Sequence, residues 1–288
     1  MRKFIISDRI ARKLRGLENE PAQTAQQEES AAAPAQKPAE EKRFFRTTAR
    51  TDIGLVRRMN QDAVILGGKL MGVADVMGGH RGGETASAGT RDGLLRILEG
   101  RMPEEETLRD AISEVNLELW NQQLTDESLS GMGTTLTVLW PGESNMLIGH
   151  VGDSRCYLMR AGEMRQVTED HSMVADMVRR GLLSEEQAAS HPMRNYITRA
   201  VGTEPTIQAD IYSVPRQAGD RWLVCSDGLH GLVSKDRLRE LMSMEDMEEA
   251  ADQMIREALD QGGRDNISLV LAEDSEEPEK EETGEVAE

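Results

Sequence analysis

Four aspartates in this chain end or begin short apolar runs. Asp75 closes LMGVA, Asp153 follows NMLIGHVG, Asp227 follows RWLVCS, and Asp265 precedes NISLVLA. A single aspartate at a strand end usually caps a turn or a helix, so no one of them points to chemistry by itself. The set does, because strand ends of one sheet can converge. Carboxylates gathered without cations repel one another, and shared protons or bound metals relieve that repulsion. Oxygen ligands dominate, and the 5 histidines show no zinc spacing. This combination favours a hard cation, Mg²⁺ or Mn²⁺. Such an ion keeps much of its water, and one of those waters can serve as a nucleophile.

The first aspartate runs into GVADVMGGHRGGE. Gly78 and Gly79 permit positive φ and a close approach of backbone to the cluster. A phosphate-cradling loop is the rival reading of these glycines, but no Gly-Lys-Ser/Thr follows. Cys156 and Cys225 are the only cysteines. Neither precedes the short loop and arginine of a cysteine phosphatase, and both read as small apolar packing residues.

The elements that must position these residues show two periods. LMGVA, TTLTVLW, NMLIGHV, RCYLM, RWLVC and ISLVLA are rich in β-formers and read as strands. Helical spacing appears over 83–99 (Ala86, Thr90, Leu94, Leu95, Leu98), 105–123 (Leu108, Ile112, Val115, Leu119, Trp120) and 245–260 (Met247, Ala251, Met254, Ile255, Ala258). Several strands follow one another directly, and the helices come in blocks. This favours a layered α+β architecture with antiparallel sheet over a doubly wound parallel one.

The 288 residues, 38% hydrophobic, suffice for one sizeable core plus tails. Residues 1–44 divide into a basic segment and an Ala/Gln/Glu/Pro linker expected to be disordered; 45–273 form the folded domain; 274–288 form an acidic tail. Within the basic segment, Ile5, Ile6, Ile10 and Leu14 have near-helical spacing. That pattern fits either a frayed tail or a short amphipathic helix touching a partner or an anionic surface. No apolar run approaches the roughly 20 residues of a transmembrane helix, and the start is a poor secretory signal, so the expected compartment is the cytoplasm. Net charge of −18 and 3% aromatic residues argue against nucleic acid as a partner.

Eight segments resemble one family in its own order: TDIGLVRRMNQDA, GVADVMGGHRGGETAS, GMGTTLTVLW, HVGDSRCYLMRAGEM, TEDHSMVADMVRRG, HPMRNYITRAVG, CSDGLHGLVS and GGRDNISLVL. Over about residues 46–272 the chain is similar to metal-dependent serine/threonine protein phosphatases of the PP2C (PPM) family, bacterial type. The resemblance implies a four-layer α-β-β-α sandwich with metals in a cleft at one edge.

It also implies roles. Asp75 matches the aspartate bridging two metals, and the Val76 carbonyl matches a ligand of one of them. Asp227 and Asp265 match ligands of the other metal, and Asp153, with Asp227, matches a third site. Gln61 and Asp62 match positions acting through metal-bound waters. Arg57 matches the arginine that grips the substrate phosphate, a task its planar fork suits, with Arg58 a surface neighbour. Asp52 and Gly54 fit a strand end and a turn. Two or three Mn²⁺ or Mg²⁺ ions and direct attack by a metal-bridging hydroxide follow from the resemblance.

Some relatives place a histidine two residues after the bridging aspartate, where this chain has Met77. His80 is the alternative proton donor, through water, unless it simply packs its turn. Residues 168–200 match a flap in which Met173, Met177 and Leu182 are expected to pack inward. The expected substrates are phosphorylated proteins, including a serine/threonine kinase that the enzyme opposes. The family pattern has glycine where Val76 stands. This departure keeps open a pseudophosphatase that binds without hydrolysis, and a small phosphorylated metabolite is a further alternative substrate.

Overall fold

A computed structural model describes residues 43–76 and 82–276. The chain divides into Met1–Glu40 and Glu41–Glu288, and every described residue belongs to the second unit. The basic segment, the linker, residues 77–81 with Met77, Gly78, Gly79 and His80, and the tail beyond Glu276 lie outside the described residues.

Among the described residues, ten strands build two five-stranded antiparallel sheets. Strands β1 (Arg43–Asp52), β2 (Ala63–Gly67) and β3 (Leu70–Ala74) precede helices α1 (Gly83–Ile97) and α2 (Glu105–Thr125). Strands β4 (Leu136–Pro141), β5 (Asn145–Val151), β6 (Arg155–Arg160) and β7 (Glu163–Gln166) lead to the short helices α3 (Met173–Arg179) and α4 (Glu185–Ala189). Strands β8 (Asp210–Pro215) and β9 (Arg221–Cys225), helices α5 (Asp227–His230), α6 (Lys235–Met242) and α7 (Met247–Asp260), and β10 (Ile267–Glu276) complete the order. One sheet runs β1-β10-β9-β6-β7 and the other β2-β3-β4-β5-β8.

The two-residue alternation of strand side chains assigns the layers. In β9, Leu223 and Cys225 join Leu238, Leu241 and Met254 of α6 and α7, while Trp222 and Val224 face the opposite sheet. Strand β10 repeats this with Leu269 and Leu271 toward the helices and Val270 and Ala272 toward the sheet interface. In the other sheet Leu136, Val138 and Trp140 of β4 pack with Leu94, Ile112 and Leu119 of α1 and α2, and Met71, Val73 and Ile148 fill the space between sheets. The result is the four-layer α-β-β-α sandwich. Both cysteines are buried and free, one in each kind of layer.

Two expectations need correction. Strand β10 continues to Glu276, paired with Arg43 of β1, so Asp274–Glu276 belong to the sheet rather than to the tail. Their charge hides this, but Asp274 is fully buried and accepts two hydrogen bonds from Arg216, at 2.8 and 2.9 Å. In the flap, Leu182 is 68% exposed instead of packed inward. Val174 is the buried residue of α3, because the helix ends at Arg179 and leaves Leu182 in the following turn.

Candidate metal centre

The aspartates stand where both sheets present ends of interior strands to one edge of the sandwich. Asp75 follows β3 and Asp153 follows β5, in one sheet. Asp227 follows β9 and Asp265 precedes β10, in the other. Together with Arg57, Val76 and Thr135 they line one cleft with a volume of about 270 Å³.

Asp75 is anchored by its backbone. Its N–H donates to Thr135 Oγ1 (3.0 Å), and its carbonyl accepts from the Thr135 N–H (2.7 Å) and Thr134 Oγ1 (2.8 Å). Thr135 Oγ1 also meets Ser154 Oγ at 2.8 Å. These hydroxyls couple the turn after β3 to the turn after β5, and neither was singled out from sequence.

Arg57 comes from the long loop between β1 and β2, which Asn266 clamps. The Asn266 amide donates to the carbonyls of Ile53 (2.9 Å) and Met59 (3.0 Å), and its oxygen accepts from the Gln61 N–H (2.9 Å). Asp52 closes the start of the loop by accepting from the Gly54 N–H at 2.7 Å, the turn expected there. Gly54, at φ +76, lies where a Cβ would come within 2.3 Å of the Asp265 carbonyl, so the loop can approach Asp265 only through glycine. Arg57 then reaches Asp265 Oδ2 at 2.5 Å, while Arg58 is exposed.

The electrostatics are those of like charges pressed together. Burial pushes the Asp75 carboxyl well above the usual range, and Asp62, Asp227, Asp153 and Asp265 add to the shift. Burial, then Asp227, raises Asp153 to about 8. Burial, then Asp265 and Asp62, raises Asp227 to about 6. Asp62 is raised chiefly by burial; the Ser226 and Ser268 hydroxyls pull the other way without reaching hydrogen-bond geometry.

Both Asp62 carboxylate oxygens are buried without a hydrogen-bond partner. A buried orphan carboxylate is costly unless a cation or its water completes it, so the donor set fits hard divalent ions. Among the described residues, no three His, Cys, Asp or Glu side chains form a ready cage for a single ion. Donors spread around a cleft suit cations that retain part of their water.

Val76 departs from the glycine that the family resemblance places there, and its backbone does not need one. It pairs with Thr134 in an isolated antiparallel bridge, and among the described residues Ala161 is the only non-glycine with positive φ. The valine therefore sits in extended backbone, where a β-branched side chain carries no strain, and it can present a carbonyl without glycine.

The opposite wall is the flap, represented in the cleft by Asn195, Tyr196 and Ile197. Its two stems are joined by a Ser172–Ile197 bridge and by the Met173 N–H donating to the Tyr196 carbonyl at 2.9 Å. The His171 N–H donates to the Gly152 carbonyl (2.7 Å), and the Gly152 N–H donates back to His171 Nδ1 (3.1 Å), so the flap is pinned to the turn carrying Asp153. His230 Nε2 bonds the Asp153 carbonyl at 3.0 Å. Burial pushes His230 down to about 3, so the ring is neutral and Nε2 donates. The motifs around Asp153 and Asp227 contain these partners, but the sequence does not show that they meet.

Residues 57–271 match the protein phosphatase 2C family. The serine/threonine phosphatase stp of Listeria monocytogenes is 38% identical over 240 residues, covering 78% of this chain and 94% of that one. The crystal structure of the Mycobacterium tuberculosis serine/threonine phosphatase PstP/Ppp superposes with a TM-score of 0.76 at 38% identity, covering 81% of this chain and 99% of that one. A PstP catalytic-domain structure in complex with two manganese ions matches with a TM-score of 0.76 at 34% identity, covering 82% of this chain and all of that one.

Proposed function

The chain belongs to the protein phosphatase 2C family of serine/threonine protein phosphatases, and from that premise we propose that the cleft above hydrolyses phosphoserine and phosphothreonine with two or three Mn²⁺ or Mg²⁺ ions. The observation that carries this reading is the set of five aspartates, from both sheets, opposed by the Arg57 guanidinium and including an Asp62 carboxylate with no internal partner. Asp75 with the Val76 carbonyl would hold one ion, Asp75 with Asp227 and Asp265 a second, and Asp153 with Asp227 a third. Gln61 and Asp62 would act through water. Bound there, the ions supply Lewis acidity: a water deprotonated near neutral pH and positive charge for the phosphoryl oxygens.

The chain's own groups do the rest. Arg57 binds phosphoryl oxygens with the guanidinium edges not engaged by Asp265, orienting phosphorus for in-line attack. The flap wall holds the protein segment that carries the phosphate. Cys156 and Cys225 take no part, since both are fully buried and burial pushes their thiols up. That agrees with direct hydrolysis and no phosphoenzyme. His80 is the candidate proton donor to the leaving oxygen. The substrates include a serine/threonine kinase that the enzyme opposes, and the basic N-terminal segment contacts a partner or an anionic surface. The setting is the cytoplasm; among the described residues no helix is long and apolar enough to cross a membrane.

The feature favouring a binding-only module, valine after Asp75, loses its force in extended backbone. The test is hydrolysis of an aryl phosphate, phosphopeptides and small sugar phosphates in Mn²⁺, in Mg²⁺ and with EDTA. Turnover that requires the divalent ion and favours phosphopeptides is expected. Undiminished turnover in EDTA overturns the metal roles, and preference for a sugar phosphate overturns the protein substrate.

A further inference from the structure

Val76 lines a cleft made mainly of polar residues, among them Asp75, Thr135 and Asp153, and carries an isopropyl group there. The group has a defined seat. At Gly83, the first residue of α1, a Cβ would lie 2.3 Å from Val76 Cγ1 and 2.9 Å from Gln61 Nε2. Val76, Gly83 and the Gln61 amide therefore meet at one point, and that contact exists only because residue 83 has no side chain.

The surrounding backbone is already fixed. The Gln61 N–H donates to Asn266 Oδ1 at 2.9 Å, its carbonyl accepts from Ser87 Oγ at 2.6 Å, and Val76 bridges Thr134. What remains for the valine side chain to decide is where the Gln61 amide rests and how closely the loop bearing Gln61 and Asp62 sits against the strand end bearing Asp75. A β-branched side chain suits that task, because its χ1 is stiff.

We propose that Val76 is a positioning residue: seated on Gly83 and against the Gln61 amide, its side chain sets the spacing between the loop of Gln61 and Asp62 and the strand end of Asp75, and so sets the affinity of the cleft for divalent cations. The proposal rests on the metal-dependent phosphatase reading. It adds that valine at this position is matched to glycine at 83, so replacing Val76 by glycine opens a gap behind the site instead of improving it.

The test is calorimetric Mn²⁺ titration of the full-length protein, paired with thermal unfolding in EDTA. The variants are Val76→Gly, Val76→Thr, Gly83→Ala and the double variant Val76→Gly/Gly83→Ala. Removing groups that orient metal-binding residues typically costs on the order of 10-fold in affinity. Val76→Gly should show a loss of that size while its unfolding in EDTA stays close to the parent's. Val76→Thr, which keeps the shape, should bind like the parent. Gly83→Ala should weaken binding, because the new methyl displaces Val76 or Gln61, and the double variant should recover part of that loss.

Mn²⁺ binding by Val76→Gly that equals or exceeds the parent's overturns the proposal, as does a double variant no better than Gly83→Ala. If Gly83→Ala fails to fold, the Val76→Gly and Val76→Thr pair still decides. A parent protein that binds no Mn²⁺ overturns the metal reading itself, a result distinct from loss of the side-chain effect alone.

Discussion

Arg57 and Arg58 are adjacent in sequence and opposite in circumstance. Arg57 is half-buried in the cleft and paired with Asp265; Arg58 points to solvent. Hydrogen bonds to charged groups contribute about 1.5–3 kcal/mol each, so losing a two-point grip on phosphate should lower kcat/KM by at least about 100-fold. Steady-state kinetics on Arg57→Ala should show this chiefly as a rise in KM, the mark of ground-state binding, while Arg58→Ala stays within about twofold of the parent. The opposite ranking would mean that the neighbouring arginine binds the phosphate. At this scale the sequence is legible where a residue's neighbours identify it. Asp75, Asp153, Asp227 and Asp265 are visible because each adjoins an apolar run. Arg57, Gln61 and Asp62 sit in a loop without periodicity and are visible only through family resemblance. Thr135 and Ser154 are ordinary hydroxyls until folding puts them 2.8 Å apart.

The flap places Tyr196, 60% exposed, on the wall of the cleft. Its carbonyl is held by Met173, so the ring projects from fixed backbone, and an aromatic face of this kind contributes through contact with the substrate chain rather than the phosphate. Tyr196→Ala should raise KM for phosphopeptides about tenfold and leave KM for an aryl phosphate unchanged; equal effects on both substrates would place the ring in phosphate binding instead. The elements themselves divide by position in the sheets. The six strands predicted from sequence are β3, β4, β5, β6, β9 and β10, and all are interior strands. The four not predicted from sequence, β1, β2, β7 and β8, are the four edges. Strand β4 is buried at every position, whereas β7 alternates exposed and half-buried. Edge strands need only part of their surface covered and tolerate charges, which interrupt the pattern in β1, β7 and β8; β2 is apolar throughout, so charge does not account for it. Helices α1, α2 and α7 were legible from their apolar stripes; α5 and α6 span 4 and 8 residues, too short for a period to register.

At the scale of the whole domain, the boundary matters. A chain of residues 43–276 should fold and retain turnover of an aryl phosphate. Ending it at Glu273 removes Asp274, the buried partner of Arg216, and breaking such a pair costs about 3–5 kcal/mol; urea unfolding of the two lengths measures the difference. The packed carboxylates also make metal-free stability depend on pH. Asp153, raised to about 8, binds a proton in the folded state at pH values where the unfolded chain has lost it. Stability therefore falls as pH rises toward 8. Below about pH 6.5 the buried His150, lowered to about 4, acts in the opposite sense, because the unfolded chain then holds the extra proton. Thermal unfolding in EDTA should accordingly show a falling melting temperature between about pH 6.5 and 8. Mn²⁺ should reverse that slope, because metal binding requires the deprotonated carboxylates.

The strand order joins the two ends of the described domain at the cleft. Asp265 precedes β10, the last strand of the described domain, yet β10 lies inside its sheet between β1, the first strand, and β9. A chain cut before Asp265 would lack one carboxylate of the cleft, the partner of Arg57 and the Asn266 clamp on the arginine loop. The first strand of the sheet thus finds its neighbour only in the last, and the cleft draws its residues from both ends of the domain.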